Sequence, residues 1–293
     1  MTESTQPDDR KPTPDPTEDG AYFPSRYSLG QYTSPNTDFD GIGTHRGAYT
    51  GGRWKVLVIA SDERYLLMRN ETMFSTGNHP VETLLPLHHM HQAGFGVDVA
   101  TLSGGPVKFE WWAFPTQDEA VTGTWETFRR QFKSPKRLGD VADNDLGADS
   151  DYLAVFIPGG HGAMFGLCDS LDVRSVLDWA LAHDRLLVSL CHGPAAFLAA
   201  SIGRDTSPFA GYSMCAFPDA ADTGANVDIG YIPGPMPWLL GSALQRDGIR
   251  LANGDGMTGA TTHDRTVLTG DSPLAANTLG KTAATTLVNT AMP

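Results

Sequence analysis

Five short apolar runs, separated by segments of helical pattern, constrain this chain more than any other feature of it. "WKVLVIA" (Trp54 to Ala60), "VDVATLS" (Val97 to Ser103), "YLAVFIPGG" (Tyr152 to Gly160), "LLVSLC" (Leu186 to Cys191) and "RTVLTGD" (Arg265 to Asp271) are bounded by Gly, Pro and Asp and carry the β-branched residues that strands favour. Near-continuous apolar runs suit strands buried on both faces. Between them "VETLLPLHHMHQAG" reads as a helix from Pro80 to a stop at Gly94, and "SLDVRSVLDWALAHD" begins at Ser170, a good N-cap. A third segment, "SPLAANTLGKTAATTLV", follows the last strand. The alternation predicts βαβ units, and so an α/β fold with a mainly parallel sheet and helices on both faces.

Two stretches break the alternation. Residues 1–20 are rich in Pro, Asp and Thr and poor in apolar residues, which predicts a disordered tail. Residues 21–53 regain aromatics and read as an arm that packs on the body without regular structure of its own. Residues 106–150, with clustered aromatics and mixed charge, read as an inserted smaller lobe packed with that arm. The core domain is then 54–105 together with 151–293.

Charge narrows the partners. A net charge of −13 over 293 residues speaks against stable binding to a nucleic-acid backbone or an anionic membrane, which needs clustered Lys and Arg. The acidic, proline-rich start is the reverse of a signal peptide. No run approaches the ~20 apolar residues of a membrane span. Three cysteines, Cys168, Cys191 and Cys215, are too few and too odd in number for a disulfide framework. A reduced, cytoplasmic protein is expected.

The chemistry-bearing feature is "LLVSLCHGPAAFLAA". A buried strand ending in Cys191, Gly193 two residues on and Pro194 at the first helical position describe a sharp strand-to-helix turn. Such a turn exposes its apex at a helix N-terminus, where a thiol's pKa should fall and free N–H groups could hold an oxyanion. The geometry is that of a nucleophile elbow carrying sulfur. A core cysteine is the competing reading, because cysteine is among the most buried residue types; the adjacent His192 and the tight turn favour function. Cys215 and Cys168 lack these features.

Other residues are ambiguous by themselves. Gly159 and Gly160 end one strand and would let backbone N–H groups approach a substrate, or simply form a loop. Glu82 falls in the first turn of a helix, where an acid is stabilising without any catalytic role. Asp219 and Asp222 in "FPDAAD" could orient a histidine or sit on the surface. His88, His89 and His91 put two imidazoles three residues apart, a weak signal for metal against a solvated face.

"FSTGNHPVETLLPL", "FIPGGHGAM", "SLCHGPAAFLA", "CAFPDAAD" and "LTGDSPLAANTLGKTAA" together resemble the HchA group of heat-shock chaperones and glyoxalase III enzymes in the ThiJ/PfpI superfamily. That superfamily is similar to class I glutamine amidotransferases. The resemblance runs from about Tyr22 to the C-terminus. It implies a flavodoxin-like fold, a homodimer, and a core domain with a smaller lobe. Cys191 matches the family's nucleophile, His192 the catalytic histidine beside it, Asp222 the acid that orients the histidine, and Glu82 the carboxyl group that meets the sulfur. Members that bind a metal use a His, Glu and His set. Only His91 of that set is retained, the other positions falling at Gly96 and Phe128, so no metal and no cofactor are expected. His88 with His91 is left as a possible substitute site.

The reaction implied is a glutathione-independent glyoxalase III reaction, converting methylglyoxal or glyoxal to lactate or glycolate through a Cys191 hemithioacetal. Gly159, Gly160 and the Cys191 N–H would hold the oxyanion, and His192 or Glu82 would move the proton. Deglycation of protein or nucleotide adducts could use the same site. Two alternatives remain: a holding chaperone presenting Trp111, Trp112, Phe114 and Trp125 to unfolded clients, and a cysteine peptidase or amidase.

Overall fold

The computed structural model describes residues 7–41, 43 and 45–292. Its centre is a seven-stranded sheet. In chain order the strands are β1 (Lys55–Ile59), β2 (Gly96–Thr101), β3 (Lys136–Arg137), β4 (Tyr152–Ile157), β5 (Leu186–Leu190), β6 (Thr261–Asp264) and β7 (Val267–Gly270). Their spatial order is β6-β7-β5-β4-β1-β2-β3. Every neighbouring pair is parallel except β6 and β7. All five apolar runs of the sequence supply strands of this sheet, and β4 and β5 are buried at every position.

The order of the strands decides where a ligand can bind. From β1 the chain crosses through helix α1 (Pro80–Gln92) to β2 on one side, whereas β4 lies on the other side of β1 and leads on through a further helix (Leu171–Ala182) to β5. Right-handed crossovers in opposite directions place their helices on opposite faces and open a crevice at the strands' carboxyl ends where the order reverses. The first turn of α1, the end of β4 and the end of β5 all meet there. The predicted Ser170 cap forms, its Oγ accepting from the Val173 N–H at 3.3 Å.

The segment 106–150 packs closely on the core. Helix α2 (Glu119–Lys133) buries Val121, Thr124, Phe128 and Phe132, residues three or four apart on one face, and it packs on α1. β3, from the same segment, pairs with β2 at the edge of the central sheet. The smaller layer is built elsewhere, from a four-stranded sheet of Thr13–Pro14, Ala21–Phe23, Met73–Ser75 and Tyr65–Leu67. The predicted disordered tail is ordered from Pro7 onward, and its residues 1–6 lie outside the described residues. Asp15 is the reason a polar segment can order: its carboxylate accepts from the Thr17 N–H at 2.9 Å and hydroxyl at 2.5 Å, and its N–H donates to the Ala21 carbonyl at 2.8 Å. The arm is also regular where it was expected irregular, carrying a helix over Arg26–Tyr32 capped by Ser25.

Among the described residues, no helix is long and apolar enough to cross a membrane.

Candidate active site

Cys191 stands at the apex of the elbow with φ +56°, a left-handed conformation that costs a non-glycine residue about 1–3 kcal/mol. Two hydrogen bonds hold it there. Its N–H donates to the Gly270 carbonyl and its carbonyl accepts from the Phe217 N–H, both at 2.9 Å. Gly193 leaves the turn room to press against the sheet, since a Cβ there would lie 2.4 Å from Ser189 Oγ. The following segment, Gly193–Ser201, is a 3₁₀ helix with Pro194 at its start.

The neighbours of the sulfur come from four separate segments. Nδ1 of His192 lies 3.3 Å from Sγ, and its Nε2 lies 2.9 Å from Asp222 Oδ2. Burial and the nearby His161 push the His192 pKa down to about 4, so the ring is neutral near pH 7. A neutral ring that donates Nε2–H to Asp222 turns a bare Nδ1 lone pair toward the thiol, the arrangement a general base needs. Asp222, on the π-helical turn Ala221–Ala225, also meets His161 Nε2 at 3.2 Å and accepts from Asn226 Nδ2 at 2.8 Å. Burial works against its charge, but His161 and His192 outweigh burial and hold its pKa far below the usual carboxylate range.

Glu82 occupies the third position of α1, fully buried. A helix N-terminus stabilises an anion by about 0.3–2 kcal/mol; full burial can shift a carboxyl by several pH units the other way. Burial wins, and the pKa of Glu82 lies well above its ordinary value, with the Cys191 thiol and the Gly160 N–H the hydrogen-bonding groups that act on it. Among the described residues neither oxygen has a partner at ordinary hydrogen-bond geometry.

The thiol departs from the sequence expectation. Burial, then the adjacent Glu82, push the Cys191 pKa up, because a helix end cannot offset the loss of water. Two neighbouring anions do not form together, so the pair sheds one proton before the second. A thiolate is therefore disfavoured beside a charged Glu82, and His192 Nδ1 is the ring nitrogen within reach of the thiol proton. The Cys191 N–H, expected to hold an oxyanion, is instead bound to Gly270. The Gly160 N–H favours the charged form of both the thiol and Glu82, and Gly159 serves by its size: a Cβ there would stand 2.2 Å from Glu82 Oε2 and 2.7 Å from Cys191 Cβ.

These groups lie in a cavity of about 310 Å³, lined by Glu82, Glu110, Gly160, His161, Cys191 and Tyr231 among others. Tyr32, Met257 and Leu274 also line it.

No family model matches the chain. Over 280 residues, 96% of this chain and 95% of the relative, it is 60% identical to the protein/nucleic acid deglycase HchA of Staphylococcus aureus strain Newman. The chain belongs to the HchA family. The HchA of S. aureus strain JH9 is 59% identical over the same length. Among solved structures, the glyoxalase III of Candida albicans superposes with TM-score 0.63 at 18% identity, covering 80% of this chain and 98% of that one. The 24 kDa rapid encystment protein of Francisella tularensis gives 0.66 at 17% identity, covering 80% and 99%. At these identities the likeness is one of fold, mainly parallel and flavodoxin-like as the sequence implied.

Against this HchA-family background the remaining residues sort clearly. Asp219, the other aspartate considered, accepts from the Gly241 and Ser242 N–H groups at 2.6 and 2.8 Å and braces the start of the Leu240–Arg246 helix. Cys215 is buried, 3.1 Å from Thr262 Oγ1. The thiol of Cys168 is pushed up to about 12 by burial and by Asp169. His161, Glu110, Asn226 and Tyr231 were missed. Only His161 carried a signal, directly after the two glycines that end β4; the others come from segments with no mark of their own.

The family's metal set does not fit here. His91 packs edge-on against Phe128, ring centroids 4.9 Å apart, where the resemblance would place another ligand, and Gly96 offers no side chain. His88 does not join it, its Nδ1 lying 3.1 Å from Thr124 Oγ1. Among the described residues the one grouping with metal-ligand spacing is His161, His192 and Asp222, which their mutual hydrogen bonds already account for.

Proposed function

We propose that this chain is a glutathione-independent glyoxalase III that also acts as a protein and nucleic-acid deglycase. The observation that carries the reading is the buried Cys191 thiol held between a neutral histidine and a buried carboxyl whose pKa is raised, in the lining of a cavity of about 310 Å³. His192 takes the Cys191 proton and the sulfur adds to the aldehyde carbon of methylglyoxal. Glu82 or the Gly160 N–H meets the oxygen as negative charge develops on it. The His192 imidazolium returns its proton to that oxygen, which gives the neutral hemithioacetal and frees Nδ1 to act as base again. His192 then removes the hydrogen from that carbon and an enediol forms. Protonation of the neighbouring carbon gives the lactyl thioester, and water releases lactate and the free thiol.

Glycated side chains and bases enter the same sequence once their adduct hands the dicarbonyl carbon to sulfur. The name of the 60% identical relative supports this second activity. The reading includes a homodimer, on the family resemblance, and a cytoplasmic location, on the composition and the cysteine count. The chaperone alternative loses its surface: Trp112 and Trp125 pack on the core cluster, and of the four aromatics only Trp111 is exposed. A cysteine peptidase needs an open groove for an extended chain, and Cys191 is 4% exposed.

The test is lactate formation from methylglyoxal, without glutathione and with EDTA, by wild type, Cys191→Ala and Glu82→Gln. Wild type should produce lactate. Cys191→Ala should be silent, and Glu82→Gln reduced on the order of 10²-fold or more. No lactate from a folded, reduced wild type would falsify the enzyme reading.

A further inference from the structure

The cavity holds a second carboxyl group that the chemistry above leaves idle. Glu110 precedes the short turn Trp111–Ala113, and its backbone N–H is fixed to the Asn78 carbonyl at 3.0 Å. The Thr76 hydroxyl donates to Oε1 at 2.5 Å. Among the described residues Oε2 has no partner at ordinary hydrogen-bond geometry, the His161 N–H being the backbone donor that acts on the carboxyl group, although the residue is 1% exposed and lines the same cavity as Cys191 and Glu82. A buried polar atom left unpaired costs about 1–3 kcal/mol, a cost that a ligand in the cavity can remove.

The reaction has a task to match. Converting the hemithioacetal to the thioester moves a hydrogen between two carbons, and it also moves a proton between the two oxygens. In a cis-enediol those oxygens lie on one side, within reach of one carboxyl group. His192 is committed to the thiol and the carbon-bound hydrogen. His161 is committed to Asp222. His79 also lines the cavity with a free Nδ1, but burial, then His161, push its pKa down to about 3, so it holds no proton to give near neutrality.

We propose that Glu110 is a further catalytic residue, the carboxyl group that carries the proton from the first oxygen of the bound dicarbonyl to the second; this rests on the glyoxalase reading. As His192 withdraws the hydrogen from the sulfur-bearing carbon, the Glu110 carboxyl gives its proton to the neighbouring carbonyl oxygen, completing the enediol. When the second carbon takes the hydrogen back from His192, the hydroxyl on the sulfur-bearing carbon becomes the thioester carbonyl. Its proton returns to Glu110, so the residue ends as it began. No oxidant or added cofactor is required.

The groups that face Glu110 electrostatically are His161, Arg64, Glu82, Cys191 and Tyr231. Burial dominates and pushes its pKa up to about 7, against the opposing pull of His161 and Thr76. The protonated form is the one that can begin the step. Turnover should therefore fall as pH rises through about 7.

The experiment compares wild type, Glu110→Gln and Glu110→Asp with methylglyoxal. For Glu110→Gln, kcat should drop about 10²-fold or more, without the alkaline limb near pH 7. The single-turnover rate at which Cys191 is covered should stay within about threefold of wild type. Glu110→Asp keeps a carboxyl group on a shorter arm and should retain the limb at a lower kcat; it carries the test should the Gln variant fail to fold. A folded Gln variant with wild-type kcat and an unchanged limb overturns the proposal, as does an Asp variant with unaltered kcat. Absence of lactate from wild type would strike the glyoxalase reading itself, whereas lactate from wild type and Gln variant alike strikes Glu110 alone.

Discussion

Two regions of this molecule gather histidines, and they use them in opposite ways. On α1, His88, His89 and His91 are adjacent in sequence yet turn to three different partners: Thr124 Oγ1, Asn277 Oδ1 at 2.8 Å and the Phe95 carbonyl at 3.4 Å. At the elbow, His161 and His192 are far apart in sequence, but their rings lie tilted against each other at 35° with centroids 3.9 Å apart and share the Asp222 carboxylate. The helix cluster pairs each ring with one polar group of its own. The elbow cluster couples charges, with His161 raised by Asp222 despite its burial and His192 lowered by its own burial and by His161. Convergence of segments on one buried carboxylate, and not density along the chain, separates a reactive site from a packed one.

Replacing the shared carboxylate breaks the comparison most sharply. Asp222→Asn should reduce kcat/KM for methylglyoxal about 10³- to 10⁴-fold, as loss of the orienting acid does in other triads, while the fold survives by circular dichroism. Retention of more than a tenth of the activity would mean that His192 is oriented by something else. On the helix, His89→Ala strands the Asn277 carbonyl oxygen in the core. About 1–3 kcal/mol of stability should be lost by denaturant melts, with kcat/KM unchanged in the folded fraction.

Acid should expose the elbow's buried histidines. His192 and His79 have folded-state pKa values of about 4 and about 3 against 6.5 unfolded. Between those values the unfolded chain binds more protons, so stability falls as pH drops from about 7 toward 4. His161 works the other way, since its raised pKa favours the fold below 6.5, as do the raised carboxyls of Glu82 and Glu110, whereas the lowered His88 and His89 add to the loss in acid. The His192 share is isolated by comparison: the thermal midpoint of wild type should decline more steeply across this window than that of His192→Asn, and equal slopes would contradict the neutral His192 on which the base role depends. The smallest effect belongs to His88→Ala with His91→Ala. Lost packing against Phe128 should cost about 0.5–1.5 kcal/mol and leave lactate formation within about twofold, with or without EDTA.

Much of this could be read without coordinates. The five apolar runs fixed the sheet because strands buried on both faces admit little else, and "CHGP" fixed the elbow because the backbone has few other ways to turn there. The helix within 106–150 was not legible because clustered aromatics look foreign to a helix until Phe128 and Phe132 are seen buried on its one face. His161, Glu110 and Tyr231 had to wait for the fold, as did the direction of the Cys191 shift. A local pattern reports on local backbone geometry and on which faces are buried. The charge state of a buried thiol and the meeting of Glu82, Asp222 and Glu110 depend on distances across the sheet, which only the packed chain sets.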